Sequence, residues 1–331
     1  MSLRIGQTLR GSRWNYLLVE TLSNSTASSA VFKAEIVPRA EHQLPGRWAV
    51  IKSSSEDKII DTLKRENNCY TNPLIRSSRH IRAIYDTIDT HSSGDTTDYY
   101  LAFEWMDCTL KDISSKLHRR NLALHKSISI AVLGALADLR NQRLVHTDVK
   151  NDNILISGLE GSSPVVKLGD LGLVRTEGFK EYPVQPLAMR APEVWSGIGC
   201  FHSSDVWSFA ATLFDWISPS VFGANDMPEG HWPHPWAMAK LLRLFPTSVK
   251  MHPSDPNYQG YFRIAQVIEK SGFGDSKDPK CFETLSFSEE LAKLDIPSAL
   301  EDFLRYLLIV DHEQRPSANE ALSSAEFQNL H

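Results

Sequence analysis

The chain has 331 residues, 42% hydrophobic and 23% charged, an ordinary composition for a soluble globular protein and a length for one large bilobal domain or two domains. Its net charge of −5 argues against general nucleic-acid binding, which needs a basic surface, and is compatible with basic peptide substrates. Four separated cysteines without a CxxC pair exclude a metal or disulfide framework and point to a reducing compartment. The first residues, from Met1 to Trp14, hold no apolar core for a signal peptide, and no stretch of about 18 apolar residues is expected to span a membrane. Trp14 to Leu22, Val31 to Val37 and Trp48 to Lys52 are short runs rich in apolar and β-branched residues, separated by polar and turn-forming stretches, and read as strands. A helix is expected over Glu56 to Tyr70, where Ile59, Ile60, Leu63 and Asn67 recur along one face. The polar, turn-rich stretch Asp86 to Asp98 reads as a surface hairpin loop between two strands.

From Asp107 onward helices dominate. Ser127 to Arg140 carries apolar residues on most faces, as a buried core helix does. Further helices are expected over Ser203 to Trp216, Pro235 to Leu244, Tyr261 to Lys270 and Pro297 to Val310. A small β-rich part over residues 1–105, followed by a larger helical part over 106–331, makes an α+β protein of two lobes.

Val145 to Ile156 reads as a short polar loop entering a strand. Phosphoryl transfer to a hydroxyl needs a carboxylate that orients the acceptor and takes its proton, a cation near the γ-phosphate, and an oxygen ligand for magnesium. Asp148, Lys150 and Asn153 supply these three groups within one loop. Val165 to Leu168 is strand-like and leads into Asp170-Leu171-Gly172, where an acidic residue at a strand end can chelate the magnesium that bridges the β- and γ-phosphates. A lone Asp-Leu-Gly caps any turn; its place 22 residues after Asp148 gives it weight. Downstream come Arg190-Ala191-Pro192-Glu193, then Asp205-Val206-Trp207-Ser208-Phe209, then Asp311 to Pro316.

Taken in order, these segments resemble the signature set of the eukaryotic protein kinases, from about Trp14 to Leu322. The resemblance implies a bilobal protein-kinase fold, ATP and Mg2+ as cofactors, and a protein hydroxyl as acceptor. It implies that Ala49-Val50-Ile51-Lys52 is the strand whose lysine binds the α- and β-phosphates, with Glu66 as its ion-pair partner. Phe103 then lies at the back of the adenine pocket, and Glu104, Trp105 and Met106 form the hinge whose backbone holds adenine. Val31, Ala49 and Leu155 surround the ring, and Leu22 and Ser25 belong to the nucleotide loop. Asp148 is the implied catalytic base, working with Lys150, Asn153 and Lys52, while Asn153 and Asp170 are the implied metal ligands. Glu193 pairs with Arg315 to brace the substrate-binding lobe.

Two substitutions narrow the resemblance. His146-Thr147-Asp148 replaces the usual His-Arg-Asp and Asp170-Leu171-Gly172 the usual Asp-Phe-Gly, a combination similar to the SR-protein kinases of the CMGC group, which also holds the cyclin-dependent and MAP kinases. Arg190 before Ala-Pro-Glu suits that group, as does the room between Val221 and Ser298 for its extra helical insert. Thr147 cannot make the bidentate pair that the usual arginine makes with an activation-segment phosphate, so activity independent of phosphorylation at Thr176 or Tyr182 is expected. Lys150, two residues after Asp148, is the Ser/Thr pattern, whereas Pro186 is more typical of tyrosine kinases.

Leu22 to Lys33 contains no glycine, although kinases use glycine there to close backbone amides over phosphates. Ser23, Ser25 and Ser28 stand there instead, and weaker ATP binding or slow turnover is expected. That loop supports one alternative, a pseudokinase acting as a nucleotide-binding or scaffold module. A kinase-fold enzyme for a small molecule is the other, opposed by the Ala-Pro-Glu segment, Asp205 and Arg315. SR-protein kinases favour Arg/Ser-rich peptides, which implies a basic or Arg/Ser-rich protein substrate, with Glu177, Glu181, Asp215 and Asp226 as candidate groove carboxylates. A monomer in the cytoplasm or nucleus, with no nucleic-acid or membrane partner, completes the expectation.

Overall fold

Phe32, Ala34 and Ile36 are buried while the residues between them are only partly so, the period-two pattern of a strand with one covered face. This strand, β3 (Ser29–Val37), belongs to a six-stranded antiparallel sheet in the order β1 (Thr8–Arg10), β2 (Asn15–Thr26), β3, β4 (Trp48–Ser54), β6 (Asp98–Glu104), β5 (Ile84–Thr90). The computed structural model describes residues 3–26, 29–38, 45–54, 57–90, 98–161, 164–246, 256–270 and 282–330. The chain divides into two compact units, Met1–Asp107 with Lys167–Val174, and Cys108–Val166 with Arg175–His331.

In the first unit, one face of the sheet joins Trp14, Tyr16, Leu18, Phe32, Ala34, Ile36, Ala49, Ile51, Ile88 and Tyr100 in a single core. Burying each large apolar side chain contributes about 1.5–3 kcal/mol. Helix α1 (Asp57–Thr71) buries Leu63, Glu66 and Tyr70, one stripe at helical spacing. The expected start of this helix, Glu56, lies outside the described residues. A short helix, α2 (Pro73–Arg76), follows, capped by the Asn72 side chain.

The polar stretch from Asp86 differs from its expected form. β5 runs on to Thr90, and Asp86 is buried, accepting hydrogen bonds from Ser12 N and Oγ, Arg13 N and the Tyr16 hydroxyl. Gly11 is required beside it, because a Cβ there would overlap the Asp86 carboxylate. The rest of the expected loop, residues 91–97, lies outside the described residues. A second difference concerns the 1–105 boundary: Lys167–Val174 belongs to the first unit. Leu168, at the end of β10 (Val165–Leu168), bridges Ile81 in parallel, and its backbone bonds His80 O at 2.8 Å and Arg82 N at 2.9 Å.

The second unit is mainly helical. Among its described residues are α3 (Ser115–His118), α4 (Leu122–Arg140), α5 (Pro192–Trp195), α6 (His202–Ile217), α7 (Pro233–Leu244), α8 (Pro256–Lys270), α9 (Phe287–Ala292), α10 (Ser298–Leu307), α11 (Ala318–Ser323) and α12 (Ala325–Gln328). Two small ladders join them, β7 (Cys108–Thr109) with β9 (Ile154–Ser157), and β8 (Leu144–Val145) with β11 (Arg175–Thr176). α8 starts five residues before the expected Tyr261. α4 is long and apolar enough to cross a membrane by length and composition, contrary to the expectation that no such stretch exists. Its apolarity is accounted for by burial on most faces, the property expected of Ser127 to Arg140. Cys69, Cys108 and Cys200 take part in no disulfide among the described residues, and Cys281 lies outside them.

α4 also carries a buried histidine. His125 is fully covered, sets its Nε2 at 3.0 Å from Arg119 O, and stands edge-on to Trp216 at 5.6 Å. Burial pushes its pKa down to about 4 against the opposing pull of the Arg119 carbonyl. Above the unfolded value of 6.5 both states are neutral. Between 6.5 and about 4 only the unfolded chain takes up the proton, so stability falls as pH falls. His125→Phe is expected to remove up to about 3 kcal/mol of this acid sensitivity. Urea midpoints of both proteins at pH 7 and pH 4.5 check it, and parallel losses would refute it.

Candidate functional site

In the first unit the chemistry gathers on β4 and α1. Strand alternation sends Ala49 and Ile51 into the core and turns Lys52 the other way. Its Nζ donates to Glu66 Oε1 at 3.1 Å and Oε2 at 2.9 Å, and lies 3.4 Å from Asp170 Oδ1. Burial pulls the ammonium toward neutrality, but the Asp170 and Glu66 carboxylates outweigh it and hold the Lys52 pKa above its usual value. Glu66 is 1% exposed and also accepts the Leu171 N–H at 3.2 Å. Asp170 adopts the left-handed conformation at φ 61°, and its Oδ1 accepts the Gly172 N–H at 3.3 Å. Gly172 then passes so close to α1 that a Cβ would overlap the Thr62 methyl.

Phe103 is fully buried on β6, its ring 5.1 Å from Lys52 Nζ. Val31 is half-buried and in register with Lys52, while Ala49 is buried and in register with Glu104. The Glu104 side chain accepts from Ala83 N at 3.1 Å and Lys167 Nζ at 2.7 Å. Its backbone carbonyl accepts from Arg82 Nε at 2.8 Å, an interaction that no sequence motif flags. Met106 is buried. Leu22 is 41% exposed on β2, where the strand pairs as far as Thr26 with Ser29 through three register shifts. The Ser25 side chain and all of Ser28 lie outside the described residues.

In the second unit, the loop before β9 is held from beneath. The Asp205 carboxylate, buried on α6, accepts the N–H groups of His146 at 2.6 Å and Thr147 at 3.0 Å. Burial raises the Asp205 pKa despite His146 and these bonds. Thr147 sits at φ 65°, a conformation that costs a β-branched residue about 1–2 kcal/mol. The result aims Asp148. Lys150 Nζ reaches Asp148 Oδ2 at 2.8 Å, and Asn153 Nδ2 donates to Asp148 Oδ2 at 2.9 Å and to its carbonyl at 2.8 Å. Asp148 Oδ1 makes no hydrogen bond among the described residues. Leu155 follows on β9, buried and paired with Thr109.

Glu193 and Arg315 form a buried bidentate pair, Nη1–Oε1 at 2.7 Å and Nη2–Oε2 at 3.0 Å. Of the four candidate groove carboxylates, Asp226 is bound to Lys240 and Trp236, and Glu177 lies 3.1 Å from His202. Asp215 keeps a buried, unpartnered Oδ1, while Glu181 is exposed.

Each unit offers a hard oxygen donor of the kind magnesium takes. Asp170 offers a 41% exposed carboxylate, and Asn153 spends its amide nitrogen on Asp148, which turns its amide oxygen away as a hard neutral donor. No cluster of three or more His, Cys, Asp or Glu residues suited to a softer metal occurs among the described residues.

Comparison with known proteins shows the family. The family model for the protein kinase domain matches residues 36–327. The match leaves out β1, β2 and all of β3 before Ile36. Cyclin-dependent kinase 2 of Caenorhabditis elegans is 32% identical over 294 residues, covering 82% of this chain and 68% of that protein. The crystal structure of a kinase domain superposes with a TM-score of 0.65 at 18% identity, covering 99% of this chain and 98% of the other, a likeness of fold.

Proposed function

The chain belongs to the protein kinase family and is an ATP- and magnesium-dependent protein serine/threonine kinase, and from that premise we propose that Asp148 is its catalytic base. The observation that carries this reading is the one-sided clamp on Asp148. Lys150 and Asn153 both hold Oδ2, leaving Oδ1 to receive a hydroxyl. The hydroxyl oxygen attacks the γ-phosphorus as its proton passes to Oδ1, and ADP departs with the electrons of the broken P–O bond. Lys150 offsets charge on the transferring group, and Lys52, fixed by Glu66, holds the α- and β-phosphates. Asp170 and Asn153 are the proposed ligands of magnesium, which when bound neutralises phosphate charge. Transfer from γ-labelled ATP to serine and threonine peptides tests the reading, and its decisive variant opens the Discussion.

The branch assignment, SR-protein-kinase-like, rests on Thr147 and Leu171. We place the enzyme among kinases active without a phosphorylated activation segment. In support, that segment has anchors that need no phosphate. Arg175 Nε donates to the Tyr182 hydroxyl at 3.2 Å, Phe179 meets Tyr182 edge-on at 4.9 Å, and Phe179 bridges Cys200 in the backbone. Phosphatase-treated enzyme is therefore expected to keep most of its activity, and loss of most of it would sink the idea. A basic or Arg/Ser-rich substrate is the proposed preference, with the exposed Glu181 as the carboxylate that remains for it. Transfer to acidic peptides in preference to Arg/Ser-rich ones would overturn that.

A further inference from the structure

Thr62, Arg65, Glu66 and Cys69 recur at the spacing of one helical face, and on α1 all four meet the turn from Asp170 to Gly172. Three consecutive peptide groups of that turn are each held by one of these side chains. Glu66 Oε1 accepts the Leu171 N–H at 3.2 Å, Cys69 Sγ approaches Leu171 O at 3.9 Å, and Arg65 Nη1 donates to Gly172 O at 2.8 Å. The sulfur contact is weak, so the two charged side chains do most to fix the turn, one at each end. Thr62 closes the remaining side, where a Cβ on Gly172 would fall 2.5 Å from its methyl. Asp170 holds φ 61° and ψ 77° there, a conformation that a residue with a Cβ keeps only where its surroundings enforce it. Glu66 is shared with Lys52, whereas the Arg65 bond reaches across 107 residues of sequence to the turn itself.

We propose that Arg65 is a positioning residue for the Asp170 carboxylate, and that its bond to Gly172 sets the affinity of the enzyme for magnesium. The inference rests on the reading above in one respect, that Asp170 is a magnesium ligand. Magnesium demands near-ideal octahedral geometry, so a carboxylate that has to be reoriented binds it less tightly. Asp170 Oδ1 accepts the Gly172 N–H at 3.3 Å, so the setting of Gly172 decides where the 41% exposed carboxylate points. Without the guanidinium the Gly172 carbonyl is released and the left-handed conformation at Asp170 relaxes. Binding the metal then has to restore it. Lys52 and Glu66 keep their own bonds at 2.9 and 3.1 Å, so the metal-free grip on the nucleotide is left intact.

The test uses the whole chain with a non-hydrolysable ATP analogue. Mn2+ stands in for magnesium and is titrated by electron paramagnetic resonance, and calorimetry in EDTA gives the metal-free Kd of the analogue. Arg65→Met is expected to weaken Mn2+ binding about tenfold, as the loss of one charge-assisted hydrogen bond does, with the metal-free Kd changed by less than about twofold. Arg65→Lys still brings an ammonium donor to one carbonyl and is expected to stay within about threefold of wild type. Mn2+ binding by Arg65→Met within about twofold of wild type overturns the proposal. So does a metal-free Kd weakened as much as the Mn2+ Kd, the mark of a general loss of structure, or an Arg65→Lys variant no better than Arg65→Met. Should Arg65→Met fail to fold, Arg65→Gln, too short to reach the Gly172 carbonyl, is read in its place with the same limits. Asp170→Asn separates the two readings. Unchanged Mn2+ binding in that variant sinks Asp170 as a ligand, and this inference with it; Mn2+ binding lost there but kept by Arg65→Met sinks this inference alone.

Discussion

Asp148→Asn is expected to lower kcat by about 10²–10⁴-fold, the range for removing a general base, with ATP affinity little changed. The substitution keeps shape and removes charge. Oδ1 can no longer take the acceptor's proton, and Lys150 loses the carboxylate that holds its ammonium at 2.8 Å. Lys52, Glu66 and Asp170 bond one another in the first unit, so the groups assigned to the phosphates keep their partners. A γ-labelled ATP assay beside calorimetry separates the two effects. A variant retaining a tenth of wild-type turnover would mean that another group takes the proton.

Breaking the Glu193–Arg315 pair is expected to cost the second unit about 3–5 kcal/mol, because each partner leaves the other charged, buried and unmatched. Both side chains are under 5% exposed. Arg315 also donates to Ser203 O, Ile309 O and Val310 O, and its guanidinium sits 5.0 Å from the Trp207 ring centre. Arg315→Ala therefore opens four contacts besides the ion pair, while among the described residues the Glu193 side chain keeps only the Ser204 hydroxyl. The paired change Glu193→Gln with Arg315→Met removes both charges and is expected to be less harmful than Arg315→Ala alone. Urea unfolding followed by tryptophan fluorescence checks the order, since Trp207 lies beside the pair. An Arg315→Ala midpoint equal to wild type would show that the brace is not structural.

The clustering of the proposed catalytic loop was legible because its bonds are local. Asp148, Lys150 and Asn153 lie within six residues and bond one another directly. Glu66 was legible only through the family resemblance. In sequence it is one acid in a polar helix, and its burial depends on Lys52 and Leu171, which are far away along the chain. Asp86 was misread for the same reason. Alternating Asp and Thr residues look like a loop, but Ser12, Arg13 and Tyr16, 70 to 74 residues earlier, give that carboxylate a buried place. Arg82 left no trace at all, since a single arginine before a strand is usually solvated and only the sheet aims it at Glu104.

The return of Lys167–Val174 to the first unit has a consequence for synthesis on the ribosome. When residue 107 emerges, the sheet and α1 are present, but Glu66 lacks the Leu171 N–H and Lys52 lacks the Asp170 carboxylate. Some sixty residues of the other unit must be translated before that last piece arrives. The first unit is thus a domain with a late delivery. Its charged centre stays incompletely satisfied while α4 and the loop of Asp148 are made, so the nascent chain completes its proposed phosphate-binding geometry only after its proposed base has been made.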